Sequence, residues 1–270
     1  MDEAELAKAK AAAAYNAAAD LFDHPVSSFW HRFGRRTVER LELRGGDTVL
    51  DVCCGSGGSA LPAAETVGTD GTVIAVDLAE RLVALGAAKA REKGLANLEF
   101  KTGDMLALGY PDASFDVVIC VFGIFFVPDM VSATKELWRM VRPGGRLAIT
   151  TWGPDLFEPA NTAFWDAIRI ERPDLLKGFN PWERISTPVG LGQMLDEAGV
   201  TNPDILAEAG NQPLAWPDDW WLVAMGSGYR GTLSQIGDTE TLARVRGRNL
   251  AAIRDCTAIM TNVIYSIATK

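Results

Sequence analysis

Short apolar runs and helically spaced stretches take turns along the middle of this chain, the pattern of strands alternating with helices in a parallel sheet. The apolar runs are Thr48 to Val52, Thr72 to Val76, Leu98 to Thr102, Phe115 to Val121 and Arg146 to Thr151. Helical spacing resumes at Ser59. Ala79 to Lys93 carries Leu82, Val83 and Leu85 on one side and stops at Gly94, and Pro128 opens a helix to about Val141. Arg142-Pro143-Gly144-Gly145 then reads as a turn into the fifth strand. Upstream, residues 2 to about 20 are alanine-rich and strongly helix-forming, with a weak apolar face that needs a partner to pack over. Phe29-Trp30-His31-Arg32-Phe33-Gly34 leads into a second helix, through about Leu43.

After Trp152-Gly153-Pro154 the alternation breaks. Asp155 to Trp182 holds Phe157, Phe164, Trp165, Phe179 and Trp182 and reads as helical. Thr187 to Gly199 predicts a helix, Asp204 to Glu208 a short strand, Pro213 to about Arg254 a second helical insertion, and Thr257 to Ile267 a closing strand. The prediction is α/β: one domain with a Rossmann-like, mostly parallel sheet, flanking helices, an N-terminal helical segment and helical cap insertions. Residues 1–44 form the N-terminal segment and 45–152 the core. The cap comes from 153–186 and 213–254, while 187–212 and 255–270 complete the core.

Composition narrows the function classes. Of 270 residues, 48% are hydrophobic, enough for a sizeable core. A net charge of -9 argues against a nucleic-acid partner, which needs a basic face; Arg35-Arg36 and Arg244 to Arg248 are local patches of the kind helix surfaces carry. The longest apolar run, Val117 to Val127, is too short to span a bilayer, and the acidic start is unlike a secretory signal. Cys53, Cys54, Cys120 and Cys256 show no framework spacing, which predicts reduced thiols and a cytoplasmic protein. Cys53 and Cys54 would point to opposite faces of a strand, so packing is favoured over metal binding, and no metal site is expected.

The chemistry is expected at the strand tips. Val49-Leu50-Asp51-Val52-Cys53-Cys54-Gly55-Ser56-Gly57-Gly58 joins a buried strand to a helix through a glycine turn, where an α/β sheet seats a nucleotide-like ligand. Asp77 ends the second strand and suits the hydroxyls of a ribose, although Asp also caps helices. Asp104 follows the third strand. Gly55, Gly57 and Ala60 also satisfy G-x-G-x-x-A, which leaves NAD open. Against NAD stand Asp51 at the strand end, the further ligand Asp104, and the absence of a Tyr-x-x-x-Lys pair.

The ordered set VLDVCCGSG, VIAVD, FKTGDM, SFDVVICVFGIFFV and LWRMVRPGGRLAITTW resembles the class I S-adenosylmethionine-dependent methyltransferases, and among them the ubiquinone and menaquinone biosynthesis group. The resemblance covers residues 45 to 152. It implies S-adenosylmethionine as methyl donor and S-adenosylhomocysteine as product. Asp51, Cys53, Gly55 and Gly57 would hold the methionine part, Asp77 the ribose with Leu78 against the adenine, Asp104 the adenine amino group with Met105 beside the ring. Cys120 and Val121 would line the pocket near the sulfonium. Cys53 stands where many members have glycine.

Methyl transfer from a sulfonium needs in-line placement and exclusion of water, and a base only for a neutral nucleophile. Of the two histidines, His31 is the better base candidate, and His24, before Pro25, reads equally as a turn residue. Phe122, Phe125, Trp152, Trp220 and Trp221 are candidates for an aromatic lid over a small organic substrate, or for the cap's own core. A noncatalytic S-adenosylmethionine-binding protein, its cap serving as a partner or homodimer surface, is the alternative.

Overall fold

The computed structural model describes residues 3–176 and 180–270. Five strands run parallel: β1 (Thr48–Val52), β2 (Thr72–Asp77), β3 (Leu98–Thr102), β4 (Phe115–Val121) and β5 (Val141–Trp152). They are followed by β6 (Asp204–Glu208), β7 (Asn211–Pro213), β8 (Ala258–Met260) and β9 (Val263–Thr269). The main sheet has the order β3-β2-β1-β4-β5-β9-β6, and β9 is antiparallel to both of its neighbours. Strand order reverses between β1 and β4, which opens a crevice at their carboxyl ends.

The near-continuous apolar character of the central strands follows from burial on both faces. Leu50, Val52, Val118, Cys120, Leu147 and Ile149 point into one core cluster. Val49, Val73, Ala75, Val117, Ile119 and Ala148 point into the other, so neighbouring residues alternate sides with period two. Helices cover both faces: α1 (Glu3–Phe22), α2 (Phe29–Leu41), α3 (Ala60–Val67), α4 (Glu80–Glu92), α5 (Met130–Met140), α6 (Ala160–Glu171) and α7 (Pro188–Glu197). The later part adds α8 (Pro217–Met225), α9 (Tyr229–Leu233) and α10 (Thr239–Ala252). The alanine face of α1 finds its partners in α4, α8 and α9, and Arg81 of α4 donates to the Asn16 carbonyl at 2.9 Å.

Three boundaries differ from the sequence expectation. β5 starts at Val141 rather than Arg146: Phe115 pairs with Val141, the register shifts, and Val117 then pairs with Arg146. Gly144, at φ 77°, accommodates the irregularity inside the strand. The closing strand is two strands, because the chain leaves β8, paired with β7, and enters the main sheet at β9. Asn262 holds that crossing, accepting from Gly210 N–H at 3.1 Å and donating to the Pro154 carbonyl at 3.0 Å. The second helical insertion is three helices preceded by β7, with breaks at Gly226 to Gly228 and at Gly237. Phe179 lies outside the described residues.

Candidate active site

β1 ends at Val52, and the backbone then turns through left-handed conformations at Cys53 (φ 58°), Gly55 (φ 54°) and Gly57 (φ 92°) before α3 begins. Glycine adopts these angles freely, whereas a side chain there costs about 1–2 kcal/mol. Cys53 therefore occupies a position whose backbone angle favours glycine. It packs against one core cluster and Cys54 against the other, although both lie past the end of β1, in the turn rather than on a strand. Helix α2 lies directly on this turn: a Cβ at Gly34 would stand 2.4 Å from the Gly58 carbonyl carbon.

The turn borders a cavity of about 110 Å³ whose walls include Cys53, Gly55, Asp77, Leu78, Asp104, Met105, Val121 and Phe122. Asp77 fixes the turn against β2, accepting from Gly55 N–H at 2.9 Å and from Ala79 N–H at 2.8 Å. Burial pushes its carboxyl above the usual range, despite those two backbone donors. Asp104 accepts from Leu106 N–H at 2.9 Å and pairs with Lys8 of α1 at 2.7 Å, so α1 is tied across the mouth.

Asp51, Gly57 and Cys120 stand behind the cavity rather than on its wall. Asp51 is completely buried; its Oδ2 accepts from Ser59 Oγ at 2.7 Å and its Oδ1 has no protein partner. Burial raises its carboxyl to about 7, with the nearby Asp77 adding to the effect. Cys120 is buried beneath Gly123, where an added Cβ would come within 3.0 Å of its sulfur.

A second cavity, of about 750 Å³, adjoins the first beneath α1 and α9. Phe125 and Trp152 are on its wall, together with Phe157, Trp165 and Trp182. Its polar groups include Tyr229, whose hydroxyl donates to Asn161 Oδ1 at 2.7 Å, and Gln235; no carboxylate is among the described lining residues. Trp220 and Trp221 are not on either wall. Both are buried in the core, where the Trp220 Nε1–H donates to Asn249 at 2.8 Å, so the alternative of cap core describes this pair.

His31 is absent from both walls too. Its Nε2 lies 2.8 Å from Asp23 Oδ1, which also accepts from Ser56 Oγ at 2.6 Å, while Lys89 Nζ donates to Asp23 Oδ2 at 2.7 Å. Burial alone would raise the Asp23 carboxyl, but the bonds from His31, Lys89 and Ser56 hold it well below the usual carboxylate range. This network ties the end of α1, α2, α4 and the glycine turn together. Sequence reasoning missed Lys8, Tyr15, Trp30 and Phe126 as wall residues. Tyr15 carried a signal, being the one aromatic in the alanine-rich stretch from Ala11 to Ala19.

The ubiE/COQ5 methyltransferase family is matched over residues 7–165. A demethylmenaquinone methyltransferase of Listeria welshimeri is 36% identical over 126 residues, covering 46% of this chain and 53% of that protein. The nocamycin O-methyltransferase of Saccharothrix syringae is 36% identical over 132 residues, covering 49% of this chain and 47% of that protein. The chain spans about half the length of the curated relatives it matches. Among solved structures, an S-adenosylmethionine-dependent methyltransferase from Aquifex aeolicus superposes with a TM-score of 0.54 at 24% identity, over 70% of this chain and 89% of that one, a likeness of fold.

Proposed function

The chain belongs to the ubiE/COQ5 methyltransferase family, and from that premise we propose that it transfers a methyl group from S-adenosylmethionine to a small, apolar or aromatic acceptor. Membership decides against the dinucleotide that the Gly55, Gly57 and Ala60 spacing left open. The observation that carries the proposal is the pair of adjoining cavities, one edged by acidic strand tips and a glycine turn, the other walled by aromatic rings.

The residues present fit an adenosyl ligand. Asp77 and Asp104 offer carboxylate oxygens at the tips of β2 and β3, Leu78 and Met105 offer apolar surface between them, and the turn at Gly55 leaves its backbone open to close approach. The orphaned Asp51 Oδ1 is a buried acceptor directly behind that turn. Bound S-adenosylmethionine supplies an already activated leaving group. What the chain supplies is placement and dryness: α1 roofs both cavities, and the aromatic wall excludes water from the nucleophile. His31 is assigned no part in proton transfer, and an acceptor bound as its anion needs no base.

Asp77→Ala removes the acceptor of Gly55 N–H and the expected partner of the ribose. Calorimetry with S-adenosylhomocysteine is expected to show affinity lowered by about tenfold to a hundredfold, the range for a hydrogen bond to a charged group. Unchanged affinity would remove the seat assigned to the ligand. Incubation of the wild-type protein with methyl-labelled S-adenosylmethionine and a panel of phenols, quinols, amines and carboxylates is expected to label an apolar or aromatic member.

A further inference from the structure

The two cavities share four wall residues, Ala11, Tyr15, Trp30 and Phe126. Donor and acceptor of a direct displacement must come within bonding reach, so the boundary common to both cavities is where the reacting groups face each other. Three of the four residues at that boundary are aromatic. Tyr15 and Phe126 meet edge to face, with centroids 5.5 Å apart and planes at 86°. Trp30 is anchored by stacking on Phe22, at 5.2 Å and 7°. The Tyr15 ring reaches from α1 toward Gly228, where an added Cβ would stand 3.5 Å from its hydroxyl. Burial and the nearby Asp77 and Cys53 push the Tyr15 phenol upward, so the ring stays neutral.

An aromatic face carries partial negative charge and attracts a cation, most strongly where water is excluded. The two forms of the cofactor differ in this property: the donor is a sulfonium cation and the product is a neutral thioether. We propose that Tyr15, Trp30 and Phe126 form an aromatic collar that binds the cationic sulfonium methyl of S-adenosylmethionine in preference to the neutral sulfur of S-adenosylhomocysteine. The collar thereby holds the methyl at the acceptor boundary and weakens its grip once transfer has removed the charge. This rests on the cofactor seat assigned above.

Equilibrium binding of S-adenosylmethionine, of the cationic amine analogue sinefungin, and of S-adenosylhomocysteine tests it. Tyr15→Leu and Phe126→Leu are each expected to lower affinity for the two cations about fivefold more than for the neutral product. Tyr15→Phe, which keeps the ring, is expected to preserve the wild-type ratio. Should the leucine variants fail to fold, wild-type protein made with fluorinated tryptophan keeps the shape while draining charge from the ring faces. It is expected to lose cation preference with S-adenosylhomocysteine affinity retained. Equal losses for all three ligands, or an unchanged ratio in the fluorinated protein, would overturn the collar. A wild-type protein that binds none of the three would instead overturn the seat itself.

Discussion

At the scale of single residues, Asp51 is the group with the most to reveal. The unfolded chain gives up this proton near pH 4, whereas the folded chain keeps it to about 7. Between those values the folded state binds more protons than the unfolded one, so the contribution of Asp51 to stability falls as pH rises and levels off above about 7. The penalty at neutral pH is on the order of 4 kcal/mol. Asp51→Asn keeps the shape and cannot ionise. It is expected to flatten the pH dependence of unfolding by urea between about pH 4 and 7, and parallel curves for both proteins would refute the assignment. Asp51, Gly55, Asp77 and Asp104 were all legible in the sequence, because each is a polar or glycine residue standing where an apolar run stops. The resemblance gave Asp51 a hold on the methionine part, whereas its carboxylate stands behind the cavity wall; a polar residue near the end of an apolar run does not say which way its side chain turns. Tyr15, Trp30 and Phe126 were not legible as a group, since nothing in their spacing brings α1, α2 and the exit of β4 to one boundary.

At the scale of elements, the contact of α2 with the glycine turn is the joint on which the first cavity depends. A methyl at Gly34 would press on the Gly58 carbonyl and on Ser59 N, which are backbone atoms that cannot rotate aside. Gly34→Ala is therefore expected to destabilise the protein by about 1–3 kcal/mol, toward the upper end, and to weaken S-adenosylhomocysteine binding as the turn shifts. Thermal unfolding and calorimetry on the same variant check both, and a neutral substitution would show that α2 floats free of the turn. The parallel strands were readable because burial on both faces makes them short unbroken apolar runs. The later elements were readable only in part. A second insertion read as one helical stretch divides into α8, α9 and α10, because Gly226, Gly228 and Gly237 serve as breaks that apolar spacing does not register. The closing strand divides at Asn262, whose two side-chain bonds to distant backbone groups have no local sequence signature.

At the scale of the molecule, both cavities share one roof, and α1 is that roof. It is attached at three separated places: Lys8 to Asp104, Arg81 of α4 to Asn16 and Asp20, and the network around Asp23 where the helix ends. The second joins exposed groups and is weak and screened by salt, while the first is a single half-buried ion pair. Between them the helix offers mostly alanine, which buries little apolar area, so α1 is held less firmly than the sheet it covers. A ligand that fills the first cavity adds contacts to Lys8, Ala11, Ala12 and Tyr15 in one step, and its binding energy is felt as protection of the whole helix. Hydrogen exchange with and without S-adenosylhomocysteine is therefore expected to slow residues 5 to 20 as strongly as the glycine turn, while β4 and β5, buried in either state, change little. Lys8→Ala is expected to reduce the protection of α1 and leave that of the turn in place. Slowing confined to Cys53 to Gly58, with α1 unchanged, would mean that the helix covers the cavities without sensing what they hold.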